Sequence, residues 1–348
     1  MKEKAYLLLI LILASTYVLK VKADRGMIPI IPGISVYEPS QKAIIGWNGE
    51  VEILILSTDV YSPQEVKVLE ILPLPSNPDR IEKASFESFH YVNGLIIKHA
   101  PRTKWFRGVL SQGTEGVTIL FKRKIGVHDI TVVKANESKE LTYWIQDFLK
   151  RNGLENSLDL GSAEQVIDNY ISAGFQFFVL DIIEVSDERS VEPILYEFRT
   201  PFLYYPLKIS SIIPGETQIS LFLITPERIE EGLLFESNMQ MAYYELQKER
   251  APVQFKVSLG EIGMIDPRLA DLFDGEAWFT AIFYEGRTSY LDNDLKIAYP
   301  SQSEVPSNSP LASEFVKGLI TGFASALLLL GVYALRRPKR GESNSLQP

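Results

Sequence analysis

The stretch AIIGWNGEVEILIL, residues 43–56, decides the type of fold that the sequence predicts. Two apolar runs flank Asn48-Gly49, and an Asn-Gly pair supplies the positive φ angles that a tight turn requires. The stretch therefore predicts a β-hairpin. Because a mostly extended pattern continues from Ile28 to about Val133, we predict an N-terminal β-rich region over residues 24–135.

The hydrophobic period becomes helical beyond this region. Apolar residues recur on one helix face, at Leu141, Trp144, Ile145, Phe148 and Leu149. A second helix is indicated by the capping-box pattern Ser162-x-x-Gln165 and ends at Gly174. Further patterns predict strands at Phe175–Val185, Ile194–Phe198, Thr217–Ile224 and Trp278–Tyr284, a weak helix at Met239–Lys248 and a helix from Asp266 to Gly275. Residues 136–299 are thus predicted to be an α+β region.

The first 23 residues have the pattern of a secretory signal peptide. A basic head, Met1–Lys4, precedes the uncharged run Ala5–Leu19 and a small-residue exit that ends at Ala23. The uncharged run is shorter than the roughly 20 residues of a membrane-spanning helix. We predict a signal peptide over residues 1–23, and the alternative is an uncleaved N-terminal anchor.

The last 49 residues have the pattern of a membrane anchor. A Pro/Ser-rich stalk is predicted over 300–314, a transmembrane helix over 315–335, and a cytoplasmic tail over 336–348. Basic residues follow the apolar segment at Arg336, Arg337, Lys339 and Arg340. By the positive-inside rule they place the C-terminus in the cytoplasm. The prediction is a single-pass cell-membrane protein with an extracytoplasmic body, in contact with the membrane through this helix.

The composition excludes several kinds of chemistry. The chain has no cysteine, which removes disulfides, thiol nucleophiles and cysteine-based zinc or haem sites. The net charge is −9 although both end segments are net positive, so the body is acidic and nucleic acid is a poor partner. Asn136-Glu137-Ser138 is an N-x-S sequon, which makes Asn136 a candidate glycosylation acceptor.

No motif of nucleophilic, zinc or nucleotide chemistry is present, so we assign no catalytic, cofactor-binding or metal-binding residues. His90 and His99 are interpreted as unrelated polar strand positions, although a shared metal across a turn is the alternative. Asp292-Asn293-Asp294 resembles the start of a calcium loop but lacks the glycine and glutamate that follow, so a turn with solvated acids is favoured. The aromatic run Tyr196–Pro206 is interpreted as core rather than as an exposed sugar-stacking surface.

Several stretches together resemble domain-of-unknown-function family 2330, a family of exported, often membrane-anchored prokaryotic proteins. The likeness spans about residues 36–299, and its most specific piece is LYEFRTPFLYYPLKIS, residues 195–210. The residues that carry the likeness as structural signature positions are Pro73, Pro75, Trp144, Gly153, Pro201, Tyr205, Pro206 and Leu207. The chain lacks the cysteines with which family members often begin their mature part. The resemblance implies no activity, cofactor or catalytic residue.

The predicted fold class is a strand-rich α+β ectodomain with a two-helix insert between two β regions, plus one C-terminal transmembrane helix. The first functional hypothesis is a non-catalytic binding module for an envelope glycan or protein. The alternative is an extracytoplasmic hydrolase that acts on glycans with carboxylates, because such chemistry leaves no local motif. A third hypothesis, an assembly role, rests on Gly318 and Gly322 in the predicted span.

Overall fold

The computed structural model describes residues 28–29, 37–62, 65–101, 123–151, 160–185, 189–212, 215–245 and 250–299. In these segments the strands are β1 Ile28–Pro29, β2 Tyr37–Trp47, β3 Val51–Tyr61, β4 Val66–Leu74, β5 Arg80–Lys83, β6 Arg123–Ile125, β7 His128–Lys134, β8 Phe177–Val185, β9 Arg189–Ser190, β10 Ile194–Arg199, β11 Leu203–Tyr205, β12 Glu216–Thr225, β13 Gln240–Met241, β14 Tyr243–Glu245, β15 Arg250–Pro252, β16 Gln254–Val257, β17 Ala277–Arg287 and β18 Leu295–Ile297. The α-helices are α1 Phe86–His99, α2 Ser138–Arg151, α3 Gly161–Ser172, α4 Leu259–Ile265 and α5 Pro267–Ala270. Three 3₁₀ turns cover Lys208–Ile212, Glu231–Ser237 and Thr288–Tyr290.

The predicted hairpin at residues 43–56 is confirmed as β2 and β3, at the centre of a nine-stranded sheet. Gly49 adopts φ 106° in the turn, and the Asn48 side-chain oxygen accepts from the backbone N–H groups of Glu50 and Val51. The sheet order is β13-β17-β12-β2-β3-β10-β5, with β16 also on β17 and β9 also on β3. Among these pairs β2 and β12 run parallel, which joins the hairpin to strands from the second half of the chain.

A second sheet has five strands in the order β1-β4-β8-β7-β6, and all of its pairs are antiparallel. Its central strands are long and apolar, so β4 and β8 are buried along almost their whole length. Each of them carries one buried acid, Glu70 on β4 and Asp181 on β8, and these two residues lie directly opposite each other.

Two large apolar clusters lie on opposite faces of the nine-stranded sheet. Since neighbouring side chains alternate along a strand, Ile45 and Leu54 join one cluster, whereas Ile44 and Ile53 join the other. The first cluster also contains residues of the five-stranded sheet and of α2 and α3. The second contains residues of α1, α4 and α5. Both faces of the hairpin are therefore covered, which explains its near-continuous apolar sequence.

The two predicted helices exist as α2 and α3, and the apolar face of α2 is buried at Leu141, Ile145, Phe148 and Leu149. They were predicted as an insert between two β regions, and in the chain they lie between strands β7 and β8. These two strands are neighbours in the same five-stranded sheet. The predicted capping box at Ser162 is wrong, because α3 begins one residue earlier, at Gly161, with Leu160 at the N-cap position.

The predicted fold class is corrected to a strand-rich α+β fold without the added transmembrane helix. In the part of the chain that the structure describes, no helix is both long and apolar enough to cross a membrane. The predicted helix, residues 315–335, lies outside the described residues, as do Arg336, Arg337, Lys339 and Arg340.

Helix α1 replaces the strand predicted around residues 86–99. Ser85 caps its first turn by accepting a hydrogen bond from the Glu87 N–H, 3.1 Å from the Ser85 Oγ. The buried positions Phe89, Val92 and Ile96 follow a helical period that the strand interpretation overlooked.

The predicted helix at Met239–Lys248 is likewise wrong. Its described residues form β13 and β14, which pair with β17 and β15. The helix predicted from Asp266 to Gly275 is shorter than expected, since α5 ends at Ala270.

Candidate functional site

Three of the signature positions lie at the end of β4 and on α2. Pro73 is buried in β4, opposite Phe178, and its carbonyl accepts a 3.3 Å hydrogen bond from the Tyr204 hydroxyl. Pro75 follows the strand and is half-buried. Trp144 is half-buried on α2 and stacks on Phe148, with the two ring centroids 4.9 Å apart. Gly153 lies outside the described residues.

The signature run at residues 195–210 is core, as the aromatic interpretation predicted. Tyr205, Pro206 and Leu207 are buried, and the Tyr205 hydroxyl donates to the side-chain oxygen of Gln41. Pro201, by contrast, is exposed in the turn between β10 and β11.

Two tyrosine side chains bind Asp294, and we call Asp294, Tyr170 and Tyr204 the signature network. The Tyr170 hydroxyl on α3 donates to one carboxylate oxygen at 2.7 Å, and the Tyr204 hydroxyl contacts the other at 3.4 Å. The Lys208 backbone N–H donates to Asp294 at 2.9 Å, and the Ile209 N–H donates to the Tyr170 hydroxyl at 3.0 Å. The Asp294 carboxylate is therefore hydrogen-bonded within the fold. The interpretation of this segment as a turn with solvated acids is wrong for Asp294.

Burial dominates the electrostatics of this network. It raises the pKa of Asp294 above the usual range, although the bonds from Tyr170 and the Lys208 N–H work in the opposite direction. Glu52 on β3 lies fully buried nearby and accepts from the Tyr204 N–H at 2.7 Å. Burial raises the pKa of Glu52 well above its ordinary value, and the Tyr204 bond offsets this only in part.

A second polar cluster lies between the two sheets, and we call it the histidine seam: His128, Asp181, Glu70 and Glu192. His128 opens β7, and its Nδ1 is hydrogen-bonded to the Asp181 carboxylate on β8. Its Nε2 lies 3.0 Å from the backbone carbonyl of Glu192, just before β10 of the other sheet. The ring is buried, which disfavours its charged form. The charges of Asp181 and Glu70 and the bonds to Asp181 and Glu192 outweigh this, so that the pKa of His128 is raised.

A small cavity opens onto the histidine seam. Its walls contain Glu70, His128, Glu192 and Tyr196. Glu192 also binds Lys83, with the Lys83 Nζ 2.6 Å from one carboxylate oxygen. Sequence reasoning missed this cluster. The available signal was an acid with apolar residues on both sides in each of two strands, Glu70 in "VLEIL" and Asp181 in "FFVLDII".

The third feature is an exposed surface that we call the aromatic ridge: Phe235 and Tyr290, with Leu233. Phe235 is 74% exposed, Tyr290 57% and Leu233 43%. Phe235 lies in the 3₁₀ turn Glu231–Ser237, and Asn238 follows this turn directly. The Asn238 side-chain amide donates to the Tyr290 carbonyl at 2.7 Å.

A second amide fixes the same two segments. The Asn293 side chain donates to the Glu236 carbonyl at 3.1 Å. Asn238 itself holds a left-handed backbone with φ 59°, which only a few residue types adopt readily. The ridge residues therefore project from two backbones that are held in place, and no sequence pattern marked them as a pair.

The two segments that carry the ridge are acidic. Two segments, 227–236 and 285–293, carry the exposed or half-exposed carboxylates Glu227, Glu230, Glu231, Glu236, Glu285 and Asp292. The same segments contain two arginines, and both have contacts of their own. Arg228 donates to the Gln254 side chain at 2.5 Å, and the Arg287 guanidinium lies 5.8 Å from the centre of the Tyr290 ring.

The remaining predicted positions are at the surface. Asn136 is exposed just before α2, and its side-chain oxygen accepts from Gln176 at 3.1 Å; its glycosylation stays a prediction. His90 and His99 are nine residues apart on α1 and so lie on opposite sides of the helix, which prevents a shared metal. His99 stacks on Phe255 with ring centroids 4.1 Å apart. Among the described residues no group of three His, Asp or Glu side chains is arranged to hold a metal ion.

The fold and these features define a strand-rich α+β protein with buried polar networks and an exposed aromatic ridge. The chain matches the model of DUF2330, an uncharacterized protein family conserved in bacteria, over residues 26–311. The chain belongs to this family, and the resemblance inferred from the sequence is confirmed.

Known structures offer distant likenesses. The crystal structure of baculovirus P35 aligns with a TM-score of 0.45 at 9% identity, over 77% of this chain and 98% of P35. A mutated baculovirus P35 after caspase cleavage gives 0.39 at 6% identity, over 75% and 100% of the two chains. The caspase-8/P35 complex gives 0.36 at 7% identity, over 75% and 96%. With TM-scores this low, the likeness implies neither a shared fold nor a shared function. No curated protein matches the sequence.

Proposed function

We propose that this protein is an extracytoplasmic binding protein rather than an enzyme, and that the aromatic ridge is its binding surface. The observation that carries the proposal is the exposure of Phe235 and Tyr290 on backbones held together by Asn238 and Asn293. Exposed aromatic side chains on a fixed backbone lose little conformational entropy when a partner covers them. The signal-peptide pattern of residues 1–23 supports the extracytoplasmic location.

The chemistry of the ridge favours one class of partner, a protein segment that combines basic and apolar side chains. The two segments of the ridge carry six carboxylates, of which Glu231 accepts from the Tyr243 hydroxyl. Their two arginines contact Gln254 and the ring of Tyr290. Lysine and arginine side chains bind carboxylates and also the faces of aromatic rings. An acidic surface also accelerates the encounter with a basic partner, in a way that salt weakens.

A labelled peptide of alternating lysine and phenylalanine is the first probe, and its affinity for the full-length chain is measured by fluorescence anisotropy. The test variant is the double substitution Phe235→Ser and Tyr290→Ser. The matched control is Tyr143→Ser, because Tyr143 is 70% exposed on α2 and does not belong to the ridge. We expect at least a tenfold loss of affinity for the test variant, which is about 1.4 kcal/mol, and none for the control. Equal affinity of the two variants would overturn the proposal.

The partner itself is sought with a photo-crosslinking amino acid at position 233, at the edge of the ridge, and with the same amino acid at position 143 as control. Cross-linking in living cells to one protein, through a segment rich in lysine or arginine, supports the proposal. Cross-links of position 233 to glycan, or the same products from both positions, contradict it.

The alternative function, a carboxylate-dependent hydrolase, is favoured by a different observation. Glu70 and Asp181 lie opposite each other on neighbouring strands, and Glu70 lines the cavity at the histidine seam. Glycosidases act through two carboxyl groups about 5–10 Å apart. Hydrolysis of an envelope glycan by the purified protein, abolished by Glu70→Gln in a variant that remains folded, would replace the binding proposal with this one.

A further inference from the structure

The histidine seam joins the two sheets through a single imidazole ring. His128 belongs to β7 of the five-stranded sheet, and Nδ1 is hydrogen-bonded to Asp181 in that sheet. Nε2 reaches the carbonyl of Glu192, which leads directly into β10 of the nine-stranded sheet. Movement of one sheet relative to the other at this point would break the Nε2 contact.

Both partners of the ring are hydrogen-bond acceptors when Asp181 is ionised. A carboxylate and a carbonyl cannot donate, so the two bonds together require a proton on each side of the imidazole. If Asp181 instead carries one of these protons, the pair still holds two protons in total. Loss of either proton leaves one bond without a hydrogen and places two electronegative atoms against each other. The seam with both hydrogen bonds formed therefore needs a proton in each of the two bonds of the imidazole ring.

The Glu192 side chain fits against the turn that precedes His128. One carboxylate oxygen binds Lys83 of β5, and the other lies against Gly126, where a Cβ atom would stand 1.8 Å from it. Gly126 has φ 59°, a conformation that favours glycine. The 126–128 turn and the segment at Glu192 are thus closely fitted where the ring joins them.

Some of the apolar residues around the seam form a small cluster, whereas Leu56, Ile194 and Tyr196, which line the same cavity, belong to the first large cluster. The small cluster consists of Val66, Val68, Ile183, Val185 and Val191, with Val127 packed against it. This small cluster is separate from the two large clusters on either side of the nine-stranded sheet. Opening the seam therefore separates Val191 from the valines of the five-stranded sheet and reaches only that part of the first large cluster that lines the cavity.

The charged groups that face the ring are all acidic. Asp181 from β8, Glu70 from β4 and Glu192 from the segment before β10 surround it, and Lys83 of β5 is bound to Glu192. Once the ring loses its charge, Glu70 and Asp181 remain as two acids on directly opposed positions in a buried site.

We propose that His128 is a pH-sensitive clasp between the two sheets, closed when the seam is protonated and released as the pH rises. Release exposes the small valine cluster and the cavity beside Glu70, while the rest of the fold stays intact. For a protein whose body lies outside the cytoplasm, the surrounding pH sets the state of the clasp. The clasp does not depend on the aromatic ridge being the binding surface.

The sign of the effect follows from the raised pKa of His128. A group whose pKa is higher in the closed state stabilises that state fully below its pKa in the open state, which is about 6.5 for a free histidine. The stabilisation is lost as the pH rises through the pKa of the closed state. The opening constant is expected to rise by up to about tenfold per pH unit above about pH 6.5 and then to level off.

The absence of cysteine from the chain makes a clean test available, because one introduced thiol is a unique reporter. Val191→Cys reports the seam, and Val253→Cys, in the large cluster on the other face of the sheet, reports global opening. Thiol labelling rates of the full-length variants are measured across the pH range and divided by the rate of a free thiol. We expect the ratio of Val191→Cys to Val253→Cys labelling to rise with pH, and to be high and flat when His128→Gln is added.

Two results would overturn the clasp: equal pH dependence of the two reporters, or an unchanged rise after His128→Gln. A second measurement covers the case in which a cysteine variant does not fold. The free energy of urea unfolding of the otherwise unaltered chain should fall with pH above about pH 6.5 more steeply than that of His128→Gln. Parallel pH profiles of these two proteins would also exclude the proposal.

Discussion

The signature network and the aromatic ridge use tyrosine in opposite ways, although only a few residues of chain separate them. Tyr204 is fully buried and its hydroxyl contacts Asp294, whereas Tyr290, four residues before Asp294, is mostly exposed. The concentrated aromatic run therefore stabilises the fold, and the scattered, exposed aromatic residues form the proposed binding surface. Aromatic density in a sequence is a guide to the core here, and binding residues must be sought among isolated rings.

The largest expected effect is that of Tyr204→Ala, which removes a buried ring and its contacts with Asp294 and Pro73. Truncation of a buried aromatic side chain costs about 3–5 kcal/mol of stability. Tyr290→Ala is the matched exposed substitution and should change stability by less than about 0.5 kcal/mol. Urea unfolding of both variants at neutral pH measures the difference, and similar losses would abolish the contrast between the two regions.

The next effect concerns the pH dependence of the unfolding free energy that the buried Glu52 causes. Because the pKa of Glu52 is raised in the folded state, its contribution to stability is complete below the pKa of an unfolded glutamate, about 4.3, and is lost as the pH rises through the folded value. In the plot of unfolding free energy against pH, Glu52 contributes a slope of up to about 1.4 kcal/mol per pH unit, and Glu52→Gln should remove this contribution. Unfolding free energies measured from acid to neutral pH check it. A profile of Glu52→Gln that is parallel to that of the wild type would show that Glu52 does not titrate as described.

A smaller effect is expected at the support of the ridge. Asn238→Ala removes the bond to the Tyr290 carbonyl and places an unfavourable residue at φ 59°, with an expected cost of about 1–2 kcal/mol. Asn238→Gly removes the same bond but suits the backbone, so its cost should be lower. Thermal or urea unfolding ranks the two variants. If peptide binding weakens in both to the same extent, the bond to Tyr290 rather than the backbone conformation positions the ridge.

The smallest effect on stability is expected from Phe235→Ser, within about 0.5 kcal/mol of the wild type, because the ring is mostly exposed. The same substitution should weaken binding of the lysine–phenylalanine peptide. Unfolding and anisotropy measurements on this variant test most directly whether stability and binding depend on different aromatic residues. A clear loss of stability would mean that Phe235 belongs to the core rather than to a binding surface.

The sequence predicted elements wherever local pattern and tertiary environment agree. The Asn48-Gly49 hairpin, the face of α2 with Ile145 and the buried run around Tyr205 are such cases. It failed at α1, where the polar His90 and the helix-weakening Gly94 obscured the period of the buried residues. It also failed at β13 and β14, where pairing with β17 and β15 overrides the local helix propensity.

The candidate sites could not be predicted from local sequence patterns, for a different reason. The histidine seam joins four elements that are far apart in the sequence, and only the pairing of β4 with β8 brings Glu70 opposite Asp181. The ridge depends on two side-chain amide bonds between separate turns. Such sites depend on register and on loop contacts, and neither has a period that a sequence reveals.

The parallel pairing of β2 with β12 has a consequence for the order of folding. The β2–β3 hairpin is local and able to form early, yet the other edge of β2 stays open until β12 arrives from the second half of the chain. Pairings between distant segments raise the contact order and slow folding. Until then the apolar strand with Ile44 and Ile45 is an unprotected edge that other chains are able to pair with. Chains that end before residue 216 should therefore aggregate, and those that contain β12 and β17 should not.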